Sequence, residues 1–162
     1  MATITAKDVA ALRAKTGIGM MECKKALVET DGDFEAAIKL LREKGELKAA
    51  SKIATRIAAD GIVAIMKEGD LTAMIEVNSE TDFVAKNEKF VDFVKGVAAT
   101  VAANKPADLD ALMECKYNGT ELTVTQQQQE MVLVIGENIK VRRFARFADG
   151  LSVPYIHAGG KI

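Results

Sequence analysis

The chain has 162 residues, 49% hydrophobic and 28% charged, with a formal net charge of −1. That balance supports a packed core, argues against disorder, and announces neither a nucleic-acid nor a membrane partner. Two distant cysteines and one histidine leave little material for a zinc site, a disulfide framework or histidine-based catalysis.

The N-terminus, MATITAKDVAAL, lacks the apolar core of a signal peptide. No apolar run approaches the roughly 20 residues of a membrane span. Two unpaired thiols suit a reducing compartment, so the expected location is cytoplasmic.

Residues 1–45 read as a three-helix docking module. Thr5 with Asp8 forms a capping box for the first helix, Val9 and Leu12 supply its apolar face, and Gly17 ends it. Gly19 opens the second helix, with Cys23, Ala26 and Leu27 at core spacing. Asp31-Gly32-Asp33 is a turn, and Asp33 can cap the third helix, whose Phe34, Ala37, Ile38 and Leu41 face inward. Gly45 is expected to stop it. The adjacent Met20 and Met21 cannot both face one core, so at least one is exposed, which suits an adaptable docking surface or an ordinary one.

Residues 46–60 read as a connecting helix. Lys44, Lys48, Lys52 and Arg56 recur every four residues and form one stripe, either a solvated face or a rail toward an acidic partner.

Residues 61–148 read as a core subdomain. Ile62–Met66 and Leu71–Val77 flank a glycine-containing turn and predict a hairpin. The corner Asn78–Asn87 follows, with Ser79 and Asp82 as a capping box and Thr81 as a second cap. Phe90, Phe93, Val94, Val97, Ala98 and Val101 then keep helical spacing. Pro106 opens a short helix, and Asn118-Gly119 marks a tight turn. Thr125 and Gln128 read as a capping box for a helix stopped by Gly136. Asn138–Phe147 reads as a strand with Ile139, Val141, Ala145 and Phe147 on one face, interrupted by Arg143, and Lys140, Arg142, Phe144 and Arg146 on the other. Residues 149–162 read as the start of a second core subdomain, with Leu151–His157 a partner strand. The fold class expected is α+β.

No P-loop, GxGxxG, nucleophile elbow or HExxH is present, and no spacing singles out an acid–base pair. Binding is therefore expected rather than enzymatic catalysis, with no cofactor and no bound metal. From pattern alone, Phe83 either packs on its own hairpin or stands out as a wedge, and Asp82 either caps a helix or meets a partner.

LRAKTGIGMMECKKAL at 12–27, TDFVAKN at 81–87 and IGENIKVRRF at 135–144 resemble, in that order, elongation factor Ts. That family is the nucleotide exchange factor of bacterial and organellar translation. The first helices also resemble the ubiquitin-associated fold. The resemblance implies a three-helix ubiquitin-associated-like bundle, a connecting helix and an α/β core with antiparallel strands. It implies the GTPase elongation factor Tu as partner, with neither membrane nor direct nucleic-acid binding.

In the family, the aspartate and phenylalanine of the central motif disturb the Mg²⁺ and phosphate site of elongation factor Tu. The matching residues are Asp82 and Phe83, with Thr81, Val84 and Ala85 shaping the corner. The docking positions implied are Leu12, Arg13, Met20, Met21, Lys24, Ile135, Gly136 and His157. Relatives continue past Gly159-Gly160-Lys161-Ile162, so the C-terminal half is expected to be lacking. The alternative is a module that binds elongation factor Tu, or RNA through Lys140, Arg142, Arg143 and Arg146, without exchange activity.

Overall fold

Residues 3–158 are described by a computed structural model. The first helix, α1 (Ala6–Thr16), begins where the Thr5 hydroxyl accepts from the Asp8 amide and the Asp8 carboxylate accepts from the Thr5 amide at 2.9 Å. It ends at Gly17, in the left-handed region at φ 70°. Helix α2 (Met20–Glu29) follows from Gly19, and Asp33 caps α3 (Phe34–Thr55) through the Ala36 amide at 3.0 Å. Val9, Leu12, Ile18, Cys23, Ala26, Leu27, Ala37 and Leu41 close one small core.

Gly45 does not stop the third helix. The third helix and the connecting helix are one continuous element of 22 residues. Gly45 is buried there because a Cβ would lie 3.3 Å from Leu133 Cδ2 on a later helix. It is a point of close helix approach, not a terminator.

The hairpin forms as β1 (Asp60–Glu68) and β2 (Leu71–Ser79), antiparallel with Asp60 opposite Ser79 and Glu68 opposite Leu71. A four-residue helix, α4 (Asp82–Ala85), makes the corner. Its cap is Thr81, whose hydroxyl accepts from the Val84 amide at 3.4 Å, and Ser79 instead donates to the Thr81 carbonyl. Asn87 caps the next helix, α5 (Glu88–Asn104), which lays Phe90, Phe93, Val94, Val97, Ala98 and Val101 into the main core.

Asp108, not Pro106, caps the short α6 (Leu109–Glu114). Thr123 and Gln126, not Thr125 and Gln128, form the capping box of α7 (Val124–Ile135), which ends at Gly136 with φ 89°. Thr125 donates instead to the Met113 carbonyl, and the buried Gln128 accepts from the Val141 amide at 3.1 Å.

Strand β3 (Lys140–Phe147) completes a three-stranded sheet in the order β1-β2-β3. Its facing departs from strict alternation. Glu76 pairs with Arg143 and Val77 with Val141, so Arg142 is an extra residue in a bulge. Past the bulge the faces exchange: Phe144 packs against the core with Val141, while Ala145 and Phe147 are exposed.

Leu151–His157 forms no strand. Residues 151–157 are irregular, and Leu151, Val153, Tyr155 and Ile156 are exposed. The alternation of apolar residues is present, but among the described residues no strand pairs with it to supply a ladder. The Gly159-Gly160 step lies outside the described residues. The architecture is α+β: a helical N-terminal region followed by an α/β core.

Candidate protein-binding site

The corner puts a large aromatic side chain into solvent. Phe83 is 81% exposed, whereas Ala85 two residues on is buried and Val84 packs against the main core. One turn of helix thus has its inner side fixed and its outer side open. Lys86 donates to Asp82 Oδ2 at 2.8 Å, and this hydrogen bond, then the carboxylate's charge, raises the Lys86 ammonium above its ordinary range.

A turn this short has too few internal hydrogen bonds to hold itself. The loop after α7 holds it. Glu137 Oε2 accepts from the Glu80 and Thr81 amides, both at 3.1 Å, and Glu137 Oε1 accepts from the Thr81 hydroxyl at 2.7 Å. Glu80 reciprocates by accepting from the Asn138 amide, and Arg56 reaches its carboxylate at 3.3 Å. The Asn138 side chain donates to the Arg56 carbonyl at 2.9 Å.

Lys52 donates to the Gly136 carbonyl at the end of α7. Burial pushes the Lys52 ammonium below its ordinary range, and the neighbouring Arg56 charge adds to this. The stripe along α3 and its C-cap is therefore partnered at the surface: Lys44 with Glu29, Lys48 with Glu22, Lys52 with Gly136 and Arg56 with Glu80. It ties α2, α7 and the corner to α3.

This network joins the segment just after Ile135 and Gly136 to Glu80 and Thr81, the residues that lead into Asp82, Phe83 and Val84. Gly136 is exposed and Ile135 half-buried. The remaining positions sit on other elements. Arg13 is exposed on α1, and Met20, Met21 and Lys24 are all exposed on α2. Both methionines stand in solvent, Met21 at 65%. Leu12 is at 0% exposure in the helical core, so it supports this face from beneath and is not on the surface. His157 lies on the irregular tail, its ring stacked on Tyr155.

Of the residues that hold the corner, Glu80, Glu137 and Asn138 were not singled out from the sequence, and Arg56 was read only as part of the α3 stripe. The available signal was the polar pair Glu137-Asn138 wedged between a helix stop and an apolar strand.

Arg142, Arg143 and Arg146 of the basic strand have partners within the fold, while Lys140 is exposed. Arg143 and Arg142 pair with Glu76 at 2.6 and 3.4 Å, and Arg146 donates to the Lys105 carbonyl. Among the described residues, no group of three or more His, Cys, Asp or Glu is placed to hold a metal, and no helix is long and apolar enough to cross a membrane.

A family model described as Elongation factor TS matches residues 80–162. The chain is 52% identical over 161 residues to an elongation factor Ts of Syntrophotalea carbinolica, covering 98% of this chain and 53% of that protein. An elongation factor Ts of Alkalilimnicola ehrlichii is 51% identical, with 95% and 53% covered. One of Pediococcus pentosaceus is 48% identical, with 100% and 56% covered. The chain thus spans about half the length of the curated relatives it matches. The matched family segment begins at Glu80, so it takes in the exposed aromatic corner together with the Glu137 loop that holds it, and the chain belongs to the elongation factor Ts family.

Proposed function

We propose that this chain is a translation elongation factor that acts as a guanine nucleotide exchange factor, binding elongation factor Tu with GDP and promoting GDP release. The observation that carries this is Phe83, 81% exposed on a corner whose backbone is pinned from behind. An aromatic of this size buries on the order of 150–250 Å² on insertion. The Asp82 carboxylate travels with it. Beside a partner's Mg²⁺ and phosphate loop, an added carboxylate and a wedge compete with the groups that hold the nucleotide.

Residues 1–45 serve as the docking module, through Arg13, Met20, Met21 and Lys24 over the buried Leu12. Residues 46–60 carry it to the core subdomain, 61–148. Ile135, Gly136 and His157 extend the contact, and 149–162 begin a second core subdomain. Thermodynamic linkage sets the requirement: the chain weakens GDP only by the factor by which it prefers the nucleotide-free partner.

The test is release of fluorescent GDP from elongation factor Tu, with the chain and with its Asp82→Ala/Phe83→Ala form. Faster release with the chain and not with the double variant supports exchange at the corner. Binding without faster release from either form makes the chain a docking module and overturns exchange. No binding overturns the partner as well.

A further inference from the structure

A Phe83 that is to displace anything must push against something. Helix α4 has four residues, and Thr81 is its only side-chain cap. Left to itself, such a turn frays. What backs it is a carboxylate from 56 residues further along the chain: Glu137 takes the Glu80 amide, the Thr81 amide and the Thr81 hydroxyl at once. The Thr81 hydroxyl in turn accepts from the Val84 amide, so the contact runs from Glu137 through Thr81 into the turn that carries Phe83. Glu80 and the Asn138 amide close the reverse link.

We infer that Glu137 is the positioning residue of the Phe83 corner, joining it to the end of α7 so that Asp82-Phe83 and Ile135-Gly136 meet a protein partner as one rigid surface. This rests on the exchange reading for its consequence, though not for its geometry. Glu137 touches no partner in this scheme. It acts through Thr81. A force on Phe83 passes to Glu137, then to α7 through Gly136, and Lys52 on α3 holds the Gly136 carbonyl. The corner resists being pushed back because Ala85 and Val84 pack into the main core on its inner side and Glu137 ties Thr81 to the end of α7.

The experiment compares the chain with Glu137→Ala and Glu137→Gln. The first readout is amide hydrogen exchange in the chain alone. Glu137→Ala removes the acceptor of two backbone amides. Glu137→Gln keeps one carbonyl oxygen for them and turns its amide toward the Thr81 hydroxyl, which can accept. We expect exchange at Glu80, Thr81 and Val84 to rise about tenfold in Glu137→Ala, with amides of α5 and α7 unchanged, and Glu137→Gln to restore most of the protection.

The second readout is GDP release from elongation factor Tu. Glu137→Ala should lower the saturating rate about tenfold while the half-saturating concentration moves less than about twofold, with Glu137→Gln close to the parent chain. Unchanged exchange at Glu80 and Thr81 overturns the inference. So does faster exchange spread through α5 and α7, which would make Glu137 a support of the whole fold. If the local exchange changes as expected while Phe83→Ala leaves GDP release untouched, the positioning role stands and the exchange reading falls.

Discussion

The Lys86 ammonium donates to Asp82 Oδ2 across 2.8 Å, four residues apart on the corner that carries Phe83. Water reaches both side chains, so the pair is screened and opens at little cost. Asp82 can therefore give its carboxylate to a partner without disturbing the corner's backbone, which Thr81 and Glu137 hold. Phe83 likewise contributes little to the isolated fold. Phe83→Ala should leave the unfolding free energy within about 0.5 kcal/mol of the parent, as for surface changes generally. It should nonetheless abolish accelerated GDP release. Urea unfolding and the fluorescent GDP assay, run on the same preparation, check both halves.

Tyr117 lies across α5 at Gly96. A Cβ at Gly96 would fall 1.9 Å from the Tyr117 hydroxyl oxygen and 2.3 Å from its Cζ. The ring stacks on Phe93 with centroids 5.8 Å apart. Gly96→Ala must expel the ring, and should cost about 1–3 kcal/mol as an overpacked core does. In a Tyr117→Ala background the sign should reverse. There the same substitution brings only helix propensity, worth up to about 1 kcal/mol in favour of alanine. A double-mutant cycle by denaturant unfolding reads the coupling directly.

At Gly45, α3 packs against Leu133 of α7 so closely that a Cβ would lie 3.3 Å from Leu133 Cδ2. Gly45→Leu forces several carbon atoms into that contact and should destabilise the chain by about 1–3 kcal/mol. The effect should include loss of the Arg42–Glu130 ion pair, which bridges the same two helices at 2.8 Å. Thermal unfolding of Gly45→Leu, with Glu130→Gln as control, separates the packing loss from the ion pair. The control should shift the midpoint far less.

Glu76 is an acid-sensitive carboxylate in the sheet. Burial acts to raise its pKa, but hydrogen bonds from Arg143 and Asn78, with the charges of Arg143 and Arg142, outweigh it and hold the carboxyl below its ordinary 4.5. A carboxyl depressed in the folded state adds stability above its unfolded value, and that stability is lost as pH falls through the folded value. Stability should thus decline below about pH 4.5. Glu76→Gln should lower stability at neutral pH and flatten this acid decline. Denaturant midpoints from pH 7 to pH 3 show whether it does.

Much of this fold is legible in the sequence because caps are local. Thr5 with Asp8, Asp33 and Gly136 need only their neighbours to act, and each does. The misreadings come where distant residues decide. Thr123-x-x-Gln126 and Thr125-x-x-Gln128 are the same pattern two residues apart, and only the Met113 carbonyl and the Val141 amide, drawing off the second pair, choose between them. Gly45 reads as a stop until Leu133 is seen beside it. The bulge at Arg142 exchanges the faces of β3, and no residue there announces it. At the candidate site, the motif marks Asp82 and Phe83, but their backing is invisible. Glu137 reaches Thr81 across 56 positions, a pairing that only the folded chain makes.

Helix α3 gives Ala37 and Leu41 to the small helical core and Ala49 to the main one. Helix α7 does likewise, with Leu133 and Val134 packed on the first and Val132 in the second. At about 1.5 Å per residue, the 22 residues of α3 make a strut about 33 Å long with no break between the two. Neither core can melt and leave its half of the strut unsupported without exposing the other. Heating should therefore produce one calorimetric transition, with van't Hoff and calorimetric enthalpies in agreement. A protease should find no stable intermediate between the intact chain and its peptides.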